Sequence, residues 1–128
     1  MSKATVLDAS ALLALLGSEP GSEVVAETIP GSAISTVNLS EVVSKLTERG
    51  VPEQAVRAAL GEIELEIHPF SEDLAYRTGF LRLATRSLGL SLGDRACLAL
   101  GLQLEATVLT TDRNWRELDL GIEIRAIR

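Results

Sequence analysis

At 128 residues, 46% hydrophobic and only 3% aromatic, the chain suits one domain whose core must be aliphatic, built from Leu, Val, Ile and Ala. A formal net charge of −6 excludes a protein that grips nucleic acid through bulk positive field alone. The lone Cys97, inside ACLALGL, excludes an intramolecular disulfide or a thiolate metal cage and reads as a small core residue in a reducing, cytoplasmic setting.

A short strand is predicted over Ala4–Leu7, running straight into Asp8, and no secretory pattern surrounds it. An apolar helix follows from about Ser10 to Leu16 and stops near Gly17 and Pro20. A second short helix is expected around Glu23–Thr28, ending before Pro30. Ala33–Ser35 reads as a weak strand. From Asn38 to Glu48, Leu39, Val42, Val43 and Leu46 fall at the helical i, i+3, i+4, i+7 spacing. Gly50 ends that helix, and Val51-Pro52-Glu53 opens another to about Leu60. LEIHPF (Leu65–Phe70) reads as a strand closed by Pro69. Ser71-Glu72-Asp73 starts a helix expected to continue to about Ser87, and Ser91 caps a further one over roughly Leu92–Leu104. ATVLTTD is a strand ending at Asp112, and IEIRAI (Ile122–Ile127) is a last strand with alternating pattern. No run of about 18 uncharged apolar residues exists to span a membrane.

Strands separated by helical patterns predict an α/β fold, a single domain over residues 1–128 with a central, mostly parallel sheet flanked by helices. In open sheets of this kind ligands bind outside the carboxyl ends of the strands. Asp8 ends the first strand and Asp112 a later one, so parallel strands would turn both carboxylates to one crevice.

Each acid also has an ordinary reading. Asp8 can cap the helix that follows it, although Ser10 could do the same. Asn38 to Glu41 and Ser91 to Asp94 both have capping-box spacing, and Asp112 suits a turn in TDRN. His68 reads as a strand-end residue and Arg95 as a surface arginine. Together, two strand-end carboxylates and two first-turn helix acids, with no His, Cys or Lys beside them, make an all-oxygen donor set. Such a set suits hard cations such as Mg²⁺ or Mn²⁺. Without a cation, converging acids would repel and raise one another's pKa.

The blocks VLDASALLALL, AISTVNLSEVVSKL, LSLGDRACLALG and VLTTDRNW, in this order over nearly the whole chain, resemble the PIN-domain ribonucleases, and most closely the VapC-type toxins of toxin–antitoxin modules. The resemblance implies a parallel sheet flanked by helices, with Asp8, Glu41, Asp94 and Asp112 as the catalytic, metal-binding acids at its carboxyl edge. It implies supporting roles for Ser10, Asn38 and Thr110. It further implies Mg²⁺ or Mn²⁺ as cofactor, hydrolysis of RNA phosphodiester bonds by water activated on the cation, a cognate antitoxin as partner, and a homodimer. Candidate phosphate contacts are Arg95 and Arg113, with Arg116 and the Lys45/Arg49 pair. Arg95 stands where many members carry a smaller residue, and Trp115 where Phe is common.

Other readings predict other residues. A haloacid-dehalogenase-type phosphatase needs a second Asp where this chain has Ser10. A receiver domain needs paired N-terminal acids and a lysine after a late strand, which here gives TTDRNW. A nucleotide-binding module needs a glycine-rich loop after a strand, and none follows. Two alternatives stay open: a non-toxin PIN-domain nuclease of RNA processing, which the resemblance equally implies, and a non-catalytic acidic α/β binding domain in which the acids are merely caps.

Overall fold

Five short strands form one sheet in the order β3-β2-β1-β4-β5, and every neighbouring pair is parallel. They are β1 (Thr5–Leu7), β2 (Ala33–Ser35), β3 (Glu66–His68), β4 (Thr107–Thr110) and β5 (Ile124–Ala126). The coordinates come from a computed structural model and describe residues 4–128. The helices are α1 (Ala9–Leu16), α2 (Ser22–Ala26), α3 (Thr36–Glu48), α4 (Glu53–Gly61), α5 (Glu72–Phe80), α6 (Arg82–Thr85) and α7 (Leu92–Leu104). The α/β fold with a parallel sheet is the one that the alternation of patterns predicts. Among the described residues no helix is long and apolar enough to cross a membrane.

The sheet divides two apolar layers by the two-residue period of its strands. Val6, Ala33 and Val108 face one layer, with Leu74 of α5, Cys97 to Leu100 of α7, and Trp115. Leu7, Ile34 and Leu109 face the other, with Ala11 and Leu12 of α1, Val25 of α2 and Val42 of α3. Strands buried on both faces read as short, continuous apolar runs, which is why TVL and TVLT stand out in the sequence. α7 lies tight on the sheet because Gly101 has no side chain; a β-carbon there would come within 2.5 Å of Val108 Cγ2.

From β1 the chain builds outward to β2 and β3, then crosses back to place β4 on the other side of β1. The strand order therefore reverses between β1 and β4, the position where open sheets leave a crevice at their carboxyl edge. Parallel strands force the intervening helices to run back against them, so α1, α3 and α7 all begin at that edge.

Several boundaries differ from expectation. The helix expected to run from Ser71 to about Ser87 is interrupted at Leu81, giving α5, α6 and a 3₁₀ turn at Arg86–Leu88. Gly79 weakens the helix there, and the Thr85 hydroxyl donates to the Leu81 carbonyl at 2.8 Å, a local bond that competes with the helical ladder. α3 starts at Thr36 with Ser35 as its cap, accepting from the Val37 amide at 3.1 Å. Asn38 is thus inside the helix, and the capping-box reading of Asn38 and Glu41 is replaced. Asp8, not Ser10, caps α1. The 3₁₀ turn Arg113–Glu117, which buries Trp115 to 1% exposure, has too few residues to show a periodicity and was not expected.

Candidate metal centre

Asp8 emerges from β1 at the centre of the carboxyl edge, where its backbone N–H donates to the Leu109 carbonyl at 3.1 Å and extends the pairing with β4. Its side chain is buried, at 5% exposure. Oδ1 accepts from the Ala11 amide at 2.8 Å and the Ser10 hydroxyl at 2.7 Å, and Oδ2 accepts from the Thr110 hydroxyl at 2.6 Å. A carboxylate oxygen has two lone-pair positions. Oδ1 is therefore saturated, and Oδ2 keeps one position open. Burial outweighs these hydrogen bonds and pushes the carboxyl up to about 6, with the charge of Asp94 adding to the effect.

Ser10 and Thr110 also tie Asp8 to the loop after β4. The Ser10 hydroxyl accepts from the Thr111 amide at 3.0 Å, and the Thr110 hydroxyl accepts from the Asp112 amide at 3.1 Å. Both supporting residues expected from the sequence thus bond directly to Asp8.

Glu41 and Asp94 arrive from α3 and α7. Asn38, one helical turn before Glu41, is 1% exposed. Its Nδ2 donates to Glu41 Oε1 at 2.8 Å and to the Gly93 carbonyl at 3.0 Å, bridging the two helices. Its Oδ1 is buried and has no hydrogen-bond partner among the described residues. Asp94 does form a capping box with Ser91: Oδ2 accepts from the Ser91 amide at 3.0 Å while the Asp94 amide donates to the Ser91 hydroxyl at 3.1 Å. The ordinary reading of Asp94 therefore holds, and it does not exclude the other, since the same carboxylate borders the cleft.

That cleft has a volume of about 440 Å³, and Asp8, Ser10, Asn38, Glu41, Lys45 and Asp94 line it. The three carboxylates share one electrostatic field: burial pushes the Cys97 thiol up, and Asp8, Asp94 and Glu41 each add to the shift. Among the described residues no three acidic, histidine or cysteine side chains are already drawn into a closed metal-binding cluster. Each of the three carboxylates is held by hydrogen-bond donors of its own. The residues nonetheless fit a hard cation. All donors are oxygens, Asn38 with its orphaned amide oxygen is among the residues lining the cleft, and among the described residues Asp8 forms no ion pair.

The remaining expected residues lie elsewhere. Asp112 is exposed and outside the cleft lining; its carboxylate caps the 3₁₀ turn by accepting from the Asn114 amide at 2.9 Å. Its amide donates to the Thr110 hydroxyl, which in turn donates to Asp8 Oδ2. Arg95 turns away to donate from Nη1 to the Thr78 carbonyl at 3.1 Å, and Arg113 donates from Nε to the Arg128 carbonyl at 2.8 Å. Of the basic residues considered, Lys45 is the one that borders the cleft. His68 sits on β3 beside Glu66 at 3.0 Å, apart from the acids. Gly93, in the first turn of α7 next to Asp94, also lines up with Glu41 across the helix interface, and a glycine at such a helix position is a signal visible in the sequence.

The model of the PIN domain family matches residues 5–120. No curated protein matches the chain. Among solved structures, the chain resembles a toxin–antitoxin complex from Klebsiella pneumoniae at 23% identity, over 98% of each chain, with a TM-score of 0.76. It resembles DNA-bound VapBC from Salmonella typhimurium at 19% identity, over 99% of this chain and 100% of that one, with a TM-score of 0.77. VapBC2 from Rickettsia felis, bound to a DNA fragment from its promoter, is similar at 20% identity over 95% and 97% of the two chains, with a TM-score of 0.73. At these identities the likeness is one of fold.

Proposed function

The chain belongs to the PIN domain family, and from that premise we propose that it is a metal-dependent endoribonuclease, the toxin of a type II toxin–antitoxin module. The observation that carries this reading is the meeting of Asp8, Asn38, Glu41 and Asp94 around one cleft at the sheet's carboxyl edge. The similar folds of the toxin–antitoxin complexes support the toxin assignment.

Asp8 Oδ2, Glu41 and Asp94 would hold Mg²⁺ or Mn²⁺, with Asp112, whose amide bonds the Thr110 hydroxyl beside Asp8, as the fourth acid. When bound, the cation supplies Lewis-acid polarisation of the scissile phosphate and lowers the pKa of water. The chain's own residues do the rest. Ser10 and Thr110 fix the Asp8 carboxylate by their hydroxyls. Glu41, tied at Oε1 to Asn38, has Oε2 left to orient the attacking water and accept its proton. Lys45 at the cleft wall offers an ammonium to a phosphate of the RNA.

Two surfaces support the protein partners. An apolar cleft of about 500 Å³ between α3, α4 and β3, lined by Leu39, Val43, Val51, Val56, Leu60 and Ile67, suits a segment of an antitoxin. Tyr76, Phe80 and Leu83, at 59%, 79% and 75% exposure, form a stripe along α5 and α6. Glu72 and Asp73 lie at one end of that stripe and Arg82 and Arg86 at the other. Two copies packed antiparallel would therefore set acids against arginines across an apolar centre, the self-complementary arrangement a two-fold dimer requires.

The test is expression of the wild type and Asp8→Asn, scored for growth arrest and for Mg²⁺-dependent cleavage of RNA. Arrest and cleavage by the wild type alone, both abolished by EDTA in vitro, is the expected result. Equal arrest from both proteins, or cleavage that survives EDTA, would overturn the assignment.

A further inference from the structure

Gly93 occupies the first turn of α7, where alanine is intrinsically the better helix former. Its backbone does not require glycine, since it is not among the residues with positive φ. The reason lies across the helix interface. A β-carbon at this position would come within 2.6 Å of Glu41 Cδ and 2.7 Å of Glu41 Oε1. The Glu41 carboxylate therefore rests on the bare α-carbon of Gly93. Asn38 holds it there, because its amide group donates to both Glu41 Oε1 and the Gly93 carbonyl. Both partners are acceptors only, so the amide has one orientation, which leaves Oδ1 buried and without a partner among the described residues.

We infer that Gly93 is a positioning residue for Glu41: its missing side chain, with the Asn38 clamp, seats that carboxylate in the cation-binding cleft beside Asp94. The inference rests on the metal-site reading proposed above. It has an unusual signature. The atoms a methyl group would strike are the free end of a flexible side chain, so the fold can yield by swinging the carboxylate aside. Substitution then costs the site and spares the fold.

The experiment is calorimetric titration of Mn²⁺ into wild type, Gly93→Ala, Glu41→Ala and the double variant, with thermal melts of all four in EDTA. Gly93→Ala is expected to melt no lower than the wild type while losing about 10-fold or more in Mn²⁺ affinity, the scale on which groups that orient a ligand act. In the Glu41→Ala background the same change is expected to have no further effect on affinity, because its target is gone. Unaltered Mn²⁺ affinity in Gly93→Ala, or an equal loss in the Glu41→Ala background, would overturn the inference and leave the metal site standing. A melt well below wild type would make Gly93 a packing residue and overturn it too. A wild type that takes up no Mn²⁺ would overturn the metal reading, and this inference with it.

Discussion

Replacing Asp8 with asparagine isolates the electrostatic cost built into the edge of the sheet. The folded carboxyl titrates at about 6 against 3.8 for an unburied aspartate, chiefly because it is desolvated. Between those two values the native chain holds more protons than the unfolded one, so stability falls as pH rises through that window and stays low above it. Each tenfold change in proton affinity is worth about 1.4 kcal/mol, so the ionised group costs roughly 3 kcal/mol at neutral pH. Asparagine keeps an oxygen for the Ala11 amide and the Ser10 hydroxyl and removes the charge. In EDTA at pH 7.5, Asp8→Asn should therefore be more stable by roughly 2–3 kcal/mol, or about 8–12 °C in melting temperature for a domain of this size. At pH 4 the two proteins should melt together. Saturating Mg²⁺ should raise the wild type alone and narrow the gap, by mass action on the native state. Urea unfolding at the two pH values measures all of this. A variant no more stable than wild type at pH 7.5, or a difference that does not change with pH, would refute the reasoning.

Thr110→Val removes the hydroxyl that donates to Asp8 Oδ2 and accepts from the Asp112 amide while keeping the side chain's shape. Urea unfolding at pH 7.5 should show a loss of about 1.5–3 kcal/mol, typical of a buried hydrogen bond to a charged group; a loss under about 0.5 kcal/mol would mean the bond is idle. Phe80→Glu, at 79% exposure, should leave the melting temperature within a few degrees of wild type. Light scattering should then report a monomer for the variant and a dimer for the wild type, and equal masses would argue against the α5–α6 surface.

The parts of this molecule governed by local rules were legible in the sequence. β2 and α7 have their expected limits, because AIS is a short β-prone run whose last residue, Ser35, caps the next helix, and Ser91 opens a long apolar helix. Asp8 stood out because a carboxylate directly after a buried strand has no local explanation beyond a cap. What sequence could not supply was the meeting of α3 with α7. Asn38 and Glu41 have capping-box spacing, and only the packing of the helices turns that pair into a bridge to Gly93. The same holds for Asp112: the strand expected to reach it ends two residues earlier, at Thr110, and the Asp112 carboxylate caps the 3₁₀ turn. Arg95 looked free because its partner, the Thr78 carbonyl, lies 17 positions away.

The bonds that build the site span large distances along the chain. Thr110 to Asp8 bridges 102 positions, Thr111 to Ser10 bridges 101, and Gly93 to Asn38 bridges 55. Contacts of that separation form late, since long loops must close before they are rewarded. During synthesis the acids emerge one at a time over many seconds, and Asp8 acquires its Thr110 partner only when β4 adds beside β1. A nascent or truncated chain thus carries the carboxylates without the cleft. On the toxin reading proposed above, the order of assembly is itself a safeguard: the acidic cleft exists only once the whole domain has folded.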